Sequence, residues 1–486
     1  MKELKYLFGS YLKMKKSTLI SQPYHWLLFL LIIAFILLKL EAMSLPFFWD
    51  EAWSYLPAIR EMAEKGPSLL PGSIHTELYR GHPLVFYFLS SIWMKLFGHS
   101  LPVSHLFPLI ISIILLVSVY WITFKWTNSY FTGFLATLLV FIQPIFLTQS
   151  TFLLSEIWLG LLFLWSFWFY FKRHWIGFGI TVVTALLSKE SAYCLIPAFV
   201  IISGIEWYLK RINKKEFLVN ISIITCLFLA GFSFFILQKI KFGWLFFPLH
   251  TNMIDFKEIG HKMESSFLIL FISQGRNIIY LIALITAIVS YVYLKNKLSK
   301  DIQMILISFA VLTFGFSLFA AINFFSTRYL FAVIPLMLIS CAIFIGSISK
   351  SYYPFVIISI IVVIGSINIY RSKENKNFGD TDLSYVDLLK VQVKMVEYLQ
   401  KSDFKDQIYS PFLMFCVLDN PYDGFIDKKF ANLGLQMNDS NNVYFLNVSN
   451  ENLNGLDSLL SNKKVVLLKR FEEKNAMIEL YKKSDK

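Results

Sequence analysis

Charged residues are scarce in this chain of 486 residues, and their scarcity excludes one large soluble domain. Only 16% of the residues are charged, whereas 56% are hydrophobic and 17% are aromatic. Soluble globular domains carry about 25% charged residues. The composition therefore predicts a mainly α-helical, polytopic membrane protein in which long apolar runs form the spanning helices.

Cysteine is also rare. Three of the four cysteines, Cys194, Cys226 and Cys341, lie in apolar runs, and Cys416 stands alone near the C-terminus. This pattern excludes a disulfide framework and a zinc-ligand spacing. The sequence has no long-range repeat of the kind that marks inverted-repeat transporters. Its first apolar run lacks a small-residue cleavage site, so we expect an anchor rather than a removed signal peptide.

Acidic residues are few in the apolar part of the chain, which therefore carries the basic excess. Residues 1–377 hold 31 Lys and Arg against 16 Asp and Glu, whereas residues 378–486 hold 14 against 16. Basic residues concentrate on the cytoplasmic loops of membrane proteins, so the net charge needs no nucleic acid as a partner. We predict a transmembrane domain over 1–377, with its first outer loop at about 44–101, and an extracytoplasmic soluble α/β domain over 378–486.

The apolar runs alternate with short loops, and every second loop is basic. Since a spanning helix needs about 20 apolar residues, this alternation predicts about eleven spans, with the N-terminus cytoplasmic and the C-terminal domain outside. The predicted spans are residues 26–40, 102–124, 130–148, 156–171, 175–188, 192–209, 217–238, 277–294, 302–322, 329–347 and 353–370. In the first outer loop, residues 51–65 are predicted to form a short amphipathic helix that ends at Gly66-Pro67.

The C-terminal part has the periodicity of a small α/β domain. Residues 383–400 have apolar positions at helical spacing. Three short runs, 407–410, 443–446 and 465–469, have the composition of strands.

Polar residues at the outer ends of the predicted spans indicate a functional site. They are Asp50, Glu51, Arg80, His82, Glu156, Lys189, Glu190, Arg328 and Tyr329. Ionisable residues at membrane depth usually face a cavity and pair with one another. We therefore predict a polar pocket that opens outward and holds both carboxylates and cations.

This mixture of groups suits the transfer of a sugar from a lipid-linked phosphate to a hydroxyl group. A carboxylate is needed to take the proton of the acceptor, and cations are needed to hold the departing phosphate. Asp50 is the candidate base, with Glu51 beside it. The candidate phosphate-binding residues are Lys189, Arg328 and Tyr329. The candidate supporting residues on the acceptor side are Arg80, His82, Glu156 and Glu190, and no residue is assigned to a metal.

Each of these residues also has a plainer interpretation. Arg328 could extend from a helix end towards water, and Glu156 could interact with a helix N-terminus. Lys189 and Glu190 could form a local ion pair, and His82 could belong to a turn before Pro83. For the whole chain, a lipid or sugar transporter or flippase with an outward polar cavity is the alternative, and a membrane scaffold is a third interpretation. The predicted spans are nearly free of charge at their centres, which disfavours a transporter. A scaffold leaves the outer-face carboxylates and cations unexplained.

The order of the polar motifs carries a resemblance to a known superfamily. Phe48-Trp49-Asp50-Glu51-Ala52, followed by Gly81-His82-Pro83-Leu84, resembles the first outer loop of the GT-C glycosyltransferases. These include the protein O-mannosyltransferases and the aminoarabinose transferase that modifies lipid A. Ser155-Glu156, Ser188-Lys189-Glu190 and Thr327-Arg328-Tyr329-Leu330 follow in the order typical of that superfamily. The resemblance covers about residues 26–370.

The resemblance implies an inverting transferase that uses a polyprenyl-phosphate sugar on the outer leaflet of a bacterial or archaeal cell membrane. In such enzymes the acidic residue of the first loop, here Asp50, acts on the acceptor or orients it. The acceptor is a glycan, a lipid or a protein, and membrane lipids surround the enzyme. The requirement for a divalent metal stays open, because members of the superfamily differ in needing one. The chain departs from the superfamily in lacking the internal repeat domains of the mannosyltransferases and a second proline after His82. It also has Glu156 where an aspartate is often found.

Overall fold

A computed structural model of the protein describes residues 23–293, 298–348, 353–402, 407–435, 443–462 and 464–484. The N-terminal segment predicted to be cytoplasmic and the last residue of the predicted span 277–294 lie outside these ranges. Within them, apolar helices occupy the chain as far as Lys373, and a mixed region of helices and strands follows.

The α-helices share one bundle in the apolar part and flank a sheet in the C-terminal part. In chain order they are α1 (Pro23–Lys39), α2 (Leu56–Lys65), α3 (Thr76–Tyr79), α4 (Val85–Phe97), α5 (Leu101–Thr127), α6 (Tyr130–Phe141), α7 (Pro144–Gln149), α8 (Glu156–Phe171), α9 (Trp175–Leu186), α10 (Leu195–Tyr208), α11 (Lys214–Phe242), α12 (Pro248–Asn252), α13 (Ile259–Phe267), α14 (Arg276–Ile288), α15 (Lys300–Ile322), α16 (Ile334–Gly346), α17 (Tyr353–Lys373), α18 (Tyr385–Lys401), α19 (Phe412–Asp419) and α20 (Leu456–Ser461).

Six helical stretches in the described ranges are long and apolar enough to cross a membrane. They are Leu101–Thr127, Glu190–Tyr208, Lys214–Phe242, Ile259–Val292, Lys300–Ile322 and Tyr353–Lys373. Six further apolar helices have 10–17 residues. The lengths and compositions of the six longer stretches are those of spanning helices in an integral membrane protein.

Two predicted spans are interrupted. The run 130–148 is divided between α6 and α7, because Pro144 has no N–H to donate and begins a new helix. In the run 329–347, a 3₁₀ turn precedes α16. Residues 259–275, which the hydropathy pattern left in a loop, form α13 and a kink that leads into α14. The kink lies at two successive residues with positive φ, Gln274 at +54° and Gly275 at +74°, and the second is a conformation that favours glycine.

The first loop contains the predicted amphipathic helix, with one difference. Residues Glu51–Tyr55 form a wide π-helical turn, and α2 continues from it and ends at Gly66. Gly66 has a φ of +105°, which stops the helix. π-Helical turns are frequent at functional sites, and this one directly follows Asp50.

The C-terminal region contains one five-stranded mixed sheet. Its strands are β1 (Gln407–Tyr409), β2 (Leu433–Gly434), β3 (Val443–Val448), β4 (Val465–Glu473) and β5 (Ala476–Lys483). The strand order is β2-β1-β3-β5-β4, in which β1 pairs in parallel with β2 and β3, and β5 pairs antiparallel with β3 and β4. The structure confirms the three predicted strands and the helix α18, and it adds β2 and β5.

A shared hydrophobic core joins the first loop to the C-terminal region. It includes Phe48 from the loop, Tyr385 and Leu388 from α18, and Ile478 from β5. The rings of Phe48 and Tyr385 lie 5.7 Å apart. Burial of aromatic side chains from both the first loop and the C-terminal region stabilises this contact. The C-terminal region therefore holds the Asp50 loop in place.

Asp423 at this junction makes the stability of the protein depend on pH. The side chain of Asp423 is fully buried. Its Oδ1 accepts a hydrogen bond from Asn420 Nδ2 at 2.7 Å, and its Oδ2 has no partner among the described residues. Burial raises the pKa of Asp423 to about 8, with Arg60 opposing the shift. The folded protein thus keeps a proton that the unfolded chain has released. The stabilisation is complete below the ordinary pKa of an aspartate and is lost as the pH rises through about 8.

We expect the melting temperature to fall by several degrees between pH 6 and pH 9, since each unit of pKa shift corresponds to about 1.4 kcal/mol. Asp423→Asn keeps a neutral side chain of the same size and should remove much of this fall. Tryptophan fluorescence melts in detergent measure the effect, with exposed Asp427→Asn as the control. Equal pH slopes in wild type and Asp423→Asn would show that Asp423 is ionised in the fold.

Candidate active site

Asp50 lies at a turn directly before the π-helical turn Glu51–Tyr55. The preceding residue, Trp49, has a φ of +55°, which is uncommon for a bulky residue and is often found at functional sites. Asp50 Oδ1 accepts a hydrogen bond from Trp53 Nε1 at 3.0 Å. Its other oxygen, Oδ2, pairs with the Arg328 guanidinium. The turn therefore presents Asp50 to a group 278 residues away in the sequence.

Arg328 is the centre of an ion-pair network. It lies in a 3₁₀ turn, Thr327–Ala332, and is 3% exposed. Its guanidinium donates to Asp50 and to Asp380, and Nε lies 3.4 Å from Glu156 Oε1. The planar fork of arginine carries five N–H donors on three nitrogens, which suits it to bridging partners in different directions.

Lys189 extends the network on the other side of Glu156. Its Nζ donates to Glu156 Oε1 at 2.7 Å and lies 4.2 Å from the centre of the Tyr329 ring. The Arg328 guanidinium lies 5.3 Å from the same ring. Tyr329 thus contacts both predicted phosphate-binding cations, and a cation over an aromatic face is stabilised when water is excluded.

The electrostatics of the network favour charged groups at most positions. Burial opposes ionisation of Asp50, but Arg328 outweighs it and holds the pKa of Asp50 below its usual value. Burial likewise opposes the charge of Arg328, and Asp380, Asp50 and Glu156 together raise its pKa. Asp380 differs, because burial raises its pKa despite the pairing with Arg328. Three carboxylates therefore surround two cations, and Asp380 is the one most easily protonated.

The residues predicted for the acceptor side divide into two groups. Arg80 stacks over the Trp53 ring at 3.9 Å, and His82 Nδ1 lies 2.6 Å from Glu190 Oε2. Arg80, His82 and Glu190 line the same cavity as Asp50. Glu156 lies behind Lys189 and Arg328 and does not line the cavity, so its contribution is to hold the two cations.

Glu51, which we predicted beside the base, also lies behind the cavity wall. It is fully buried, and its carboxylate accepts hydrogen bonds from Leu153 N at 2.7 Å and Phe48 N at 3.2 Å. Burial raises the pKa of Glu51 to about 8. Its contacts tie the first loop to the segment before α8, and Glu51 does not line the cavity.

The cavity has a volume of about 810 Å³, within the range of ligand sites. Its charged and polar lining residues include Asp50, Arg80, His82, Lys189, Glu190, His250, Arg328, Tyr329 and Asp380. Its apolar lining residues include Phe246, Phe247, Met253, Ile254, Phe316, Phe319, Ile322, Phe324 and Phe325. Several of the latter belong to α15, so a membrane-type helix contributes apolar side chains to a cavity that also contains charged groups.

Asp380 and His250 line the cavity near the charged residues and were not identified from the sequence. Asp380 follows α17 in Gly379-Asp380-Thr381-Asp382, an acidic pair after a span like Asp50-Glu51 after α1. That similarity is a signal that could have found it. His250 is placed by α12, a short helix after an aromatic stretch, and its sequence surroundings carry no such signal.

Comparison with known proteins identifies the fold. No family model and no curated protein matches the sequence. Among solved structures, the chain is similar to ArnT from Cupriavidus metallidurans bound to undecaprenyl phosphate, with a TM-score of 0.56 and 11% identity over 94% of this chain and 98% of that one. The apo state of the same protein gives 0.56 and 12%. The archaeal oligosaccharyltransferase AglB from Archaeoglobus fulgidus has a TM-score of 0.46 and 12% identity, over 80% of this chain and 63% of that one.

The chain is thus a polytopic membrane protein with the GT-C fold, as its ordered motifs predicted. Within that fold its architecture is similar to that of the aminoarabinose transferase ArnT, and the similarity covers 94% of this chain.

Proposed function

We propose that the protein is an inverting glycosyltransferase that moves a sugar from a polyprenyl-phosphate donor to an acceptor hydroxyl. The observation that carries this proposal is one cavity lined by Asp50, by the cations Arg328 and Lys189, and by apolar side chains of α15. A donor of this class has an apolar chain, an anionic phosphate and a sugar. The apolar lining residues match the chain, and the cations match the phosphate.

In this proposal, the prenyl chain lies against the apolar lining residues of α15, and the phosphate pairs with Lys189 and Arg328. The acceptor oxygen attacks the anomeric carbon from the face opposite the phosphate, and the bond from that carbon to the phosphate oxygen breaks. Asp50 takes the acceptor proton, and the cations stabilise the negative charge that develops on the phosphate. ArnT from Cupriavidus metallidurans, which shares the fold, binds undecaprenyl phosphate, and this supports a donor carrier of the same chemical class.

The ion pairs suggest how donor binding prepares the base. The guanidinium of Arg328 is shared between Asp50 and Asp380, so a phosphate must compete with a carboxylate. Because burial raises the pKa of Asp380, that carboxylate is the partner that a phosphate displaces most easily. A phosphate on Arg328 also weakens its hold on Asp50, which raises the basicity of Asp50 when the donor is bound.

We further propose that the cavity opens on the outer face of a cell membrane. The alternation of basic loops supports this orientation, which puts the N-terminus in the cytoplasm and residues 378–486 outside. In that arrangement the C-terminal region and the first loop border the acceptor entrance, as Phe412 and Glu451 line the cavity beside Trp53.

The direct test is a transfer assay with the purified full-length protein in liposomes and a panel of polyprenyl-phosphate sugars. We expect release of polyprenyl phosphate together with a glycosylated acceptor. Native mass spectrometry of the protein should also find a co-purified polyprenyl phosphate. Movement of the labelled lipid or sugar across the bilayer without a new glycosidic bond would instead show a transporter.

Lys189→Met should weaken donor binding at least tenfold, because it removes a buried cation and leaves Glu156 without its closest partner. Donor affinity is measured by titration with the polyprenyl-phosphate sugar. Lys95→Met, which changes an exposed lysine on α4, is the matched control. Unchanged affinity in Lys189→Met would remove Lys189 from the phosphate site.

A further inference from the structure

Two glutamines hold the backbone at Asp380, between α17 and α18. The Asp380 side chain lines the cavity and pairs with the Arg328 guanidinium. Gln149, the last residue of α7, donates from Nε2 to the carbonyl oxygen of Asp380, and Gln274 Nε2 donates to Thr381 O at 3.0 Å. Side chains from two separate elements therefore fix two successive carbonyl groups.

Gln274 is itself held in place at the kink before α14. Its Oε1 accepts hydrogen bonds from Arg276 Nη1 at 3.1 Å and from Ile145 N at 3.3 Å. A Cβ on the next residue, Gly275, would clash with the Asn368 side chain of α17. Only glycine therefore lets the kink pack this closely against α17, and the close packing puts the Gln274 amide beside the segment that carries Asp380.

The same segment is also bonded on its C-terminal side. Leu383 N donates to Ser372 Oγ, near the end of α17, at 2.9 Å. Because the backbone is held on both sides of Asp380, its carboxylate can turn away from Arg328 but stays in the cavity. A phosphate that takes the place of Asp380 on Arg328 therefore has this carboxylate beside it.

We propose that Asp380, held in place by Gln149 and Gln274, weakens the binding of the polyprenyl phosphate left after transfer and so promotes its release. This inference rests on the proposed function, which supplies the two ligands. The donor is a phosphodiester with one negative charge, whereas the polyprenyl phosphate is a monoester with a charge of about −1.5 to −2 at pH 7. Like charges at close range repel, so Asp380 opposes the product more strongly than the donor.

The charges around Arg328 support this role. Three carboxylates, Asp50, Glu156 and Asp380, pair with two cations, Arg328 and Lys189, which leaves one negative charge in excess. The second charge of a phosphate monoester is therefore not neutralised. Asp380 is the carboxylate suited to this task, because Asp50 is the proposed base and Glu156 lies behind the cations.

The test is a titration of the purified full-length protein in detergent at pH 8 with polyprenyl phosphate and with its methyl ester, which carries a single charge. Asp380→Asn should bind polyprenyl phosphate about tenfold more tightly and the methyl ester only about threefold more tightly, because the ester has half the charge. The exposed Asp427→Asn is the matched control and should bind both as the wild type does. The wild type should bind the methyl ester at least as tightly as the monoester.

Gln149→Met tests the hydrogen bond that holds Asp380. Gln149 Oε1 has no partner among the described residues, so the bond to Asp380 is the one that this side chain makes there. Its loss lets the carboxylate move away, and polyprenyl phosphate should bind about threefold more tightly, with no further change when Asp380 is already Asn. Gln303→Met is the matched control, since exposed Gln303 also donates to a backbone carbonyl, Leu298 O, at 2.8 Å.

The outcomes separate this inference from the proposed function. A wild type that binds neither lipid would overturn both. Equal affinity for polyprenyl phosphate in wild type and Asp380→Asn would overturn the role of Asp380 alone. A loss of affinity in Gln149→Met that is the same in both backgrounds would show plain structural damage and remove Gln149 from the proposal. A wild type that prefers the monoester to the methyl ester contradicts the role of Asp380 without any variant.

Discussion

Asp50→Asn is expected to lower the rate of sugar transfer by about a hundredfold or more, because an amide cannot accept the acceptor's proton. The substitution is conservative in shape. Asn keeps an oxygen for the hydrogen bond from Trp53 Nε1, which in the wild type spans 3.0 Å. The comparison of interest is between kcat and donor affinity, measured with a polyprenyl-phosphate sugar and the purified protein.

The structure makes this comparison informative, since Asp50 also pairs with Arg328. If Asp50 is the base, kcat falls and the donor still binds. If Asp50 only orients Arg328, donor affinity falls as much as the rate does. Asp427→Asn, an exposed aspartate in the C-terminal region, is the control for a carboxylate lost elsewhere. Near-normal turnover in Asp50→Asn would end its assignment as the base.

Arg328→Lys is expected to have the largest effect, a loss of transfer of about a hundredfold to a thousandfold. Lysine keeps the positive charge but has one nitrogen, whereas the Arg328 guanidinium contacts Asp50 and Asp380 with different nitrogens. At least one buried carboxylate then loses its partner. Leaving a buried charge unpaired typically costs about 3–5 kcal/mol, so the melting temperature should fall as well.

The loss of stability and the loss of function can be separated with a second substitution. Arg328→Lys combined with Asp380→Asn removes the carboxylate that has lost its partner and should recover much of the melting temperature. The transfer rate should stay low, because the planar fork for phosphate oxygens is still absent. Arg60→Lys is the matched control, since Arg60 stacks over Tyr422 at 4.5 Å and does not line the cavity. Recovery of transfer in the double variant would mean that Arg328 serves only to neutralise Asp380.

The apolar helices and the positions of charged residues at their ends could be predicted because they depend on local properties of the sequence. Apolar runs long enough to span a bilayer, such as those of α5 and α15, are visible in composition alone. The motif residues Asp50, Lys189 and Arg328 stand at the ends of such runs, where charge is unexpected. Interruptions such as Pro144 and Gly275 were harder to predict, because their effect depends on how neighbouring helices pack.

Residue roles were less predictable than residue positions. Glu51 and Asp50 are neighbours in sequence, yet one is fully buried in backbone hydrogen bonds and the other lines the cavity. The turn at Trp49 and the π-helical turn after Asp50 decide which carboxylate faces which way. No period or spacing in the sequence encodes that choice. Asp380 enters the site through the packing of the C-terminal region on the first loop.

By itself the sequence determined a helical membrane protein with carboxylates and cations at its span ends, since hydropathy and charge act locally along the chain. Only the tertiary structure decided that Arg328 is shared by Asp50 and Asp380, that Glu51 accepts a hydrogen bond from Leu153 N, and that His82, Glu190 and His250 lie together. These juxtapositions join residues from 52 to 278 positions apart, and their distances follow from the packing of whole elements. Ion pairing depends on separations of a few ångströms, which packing alone sets.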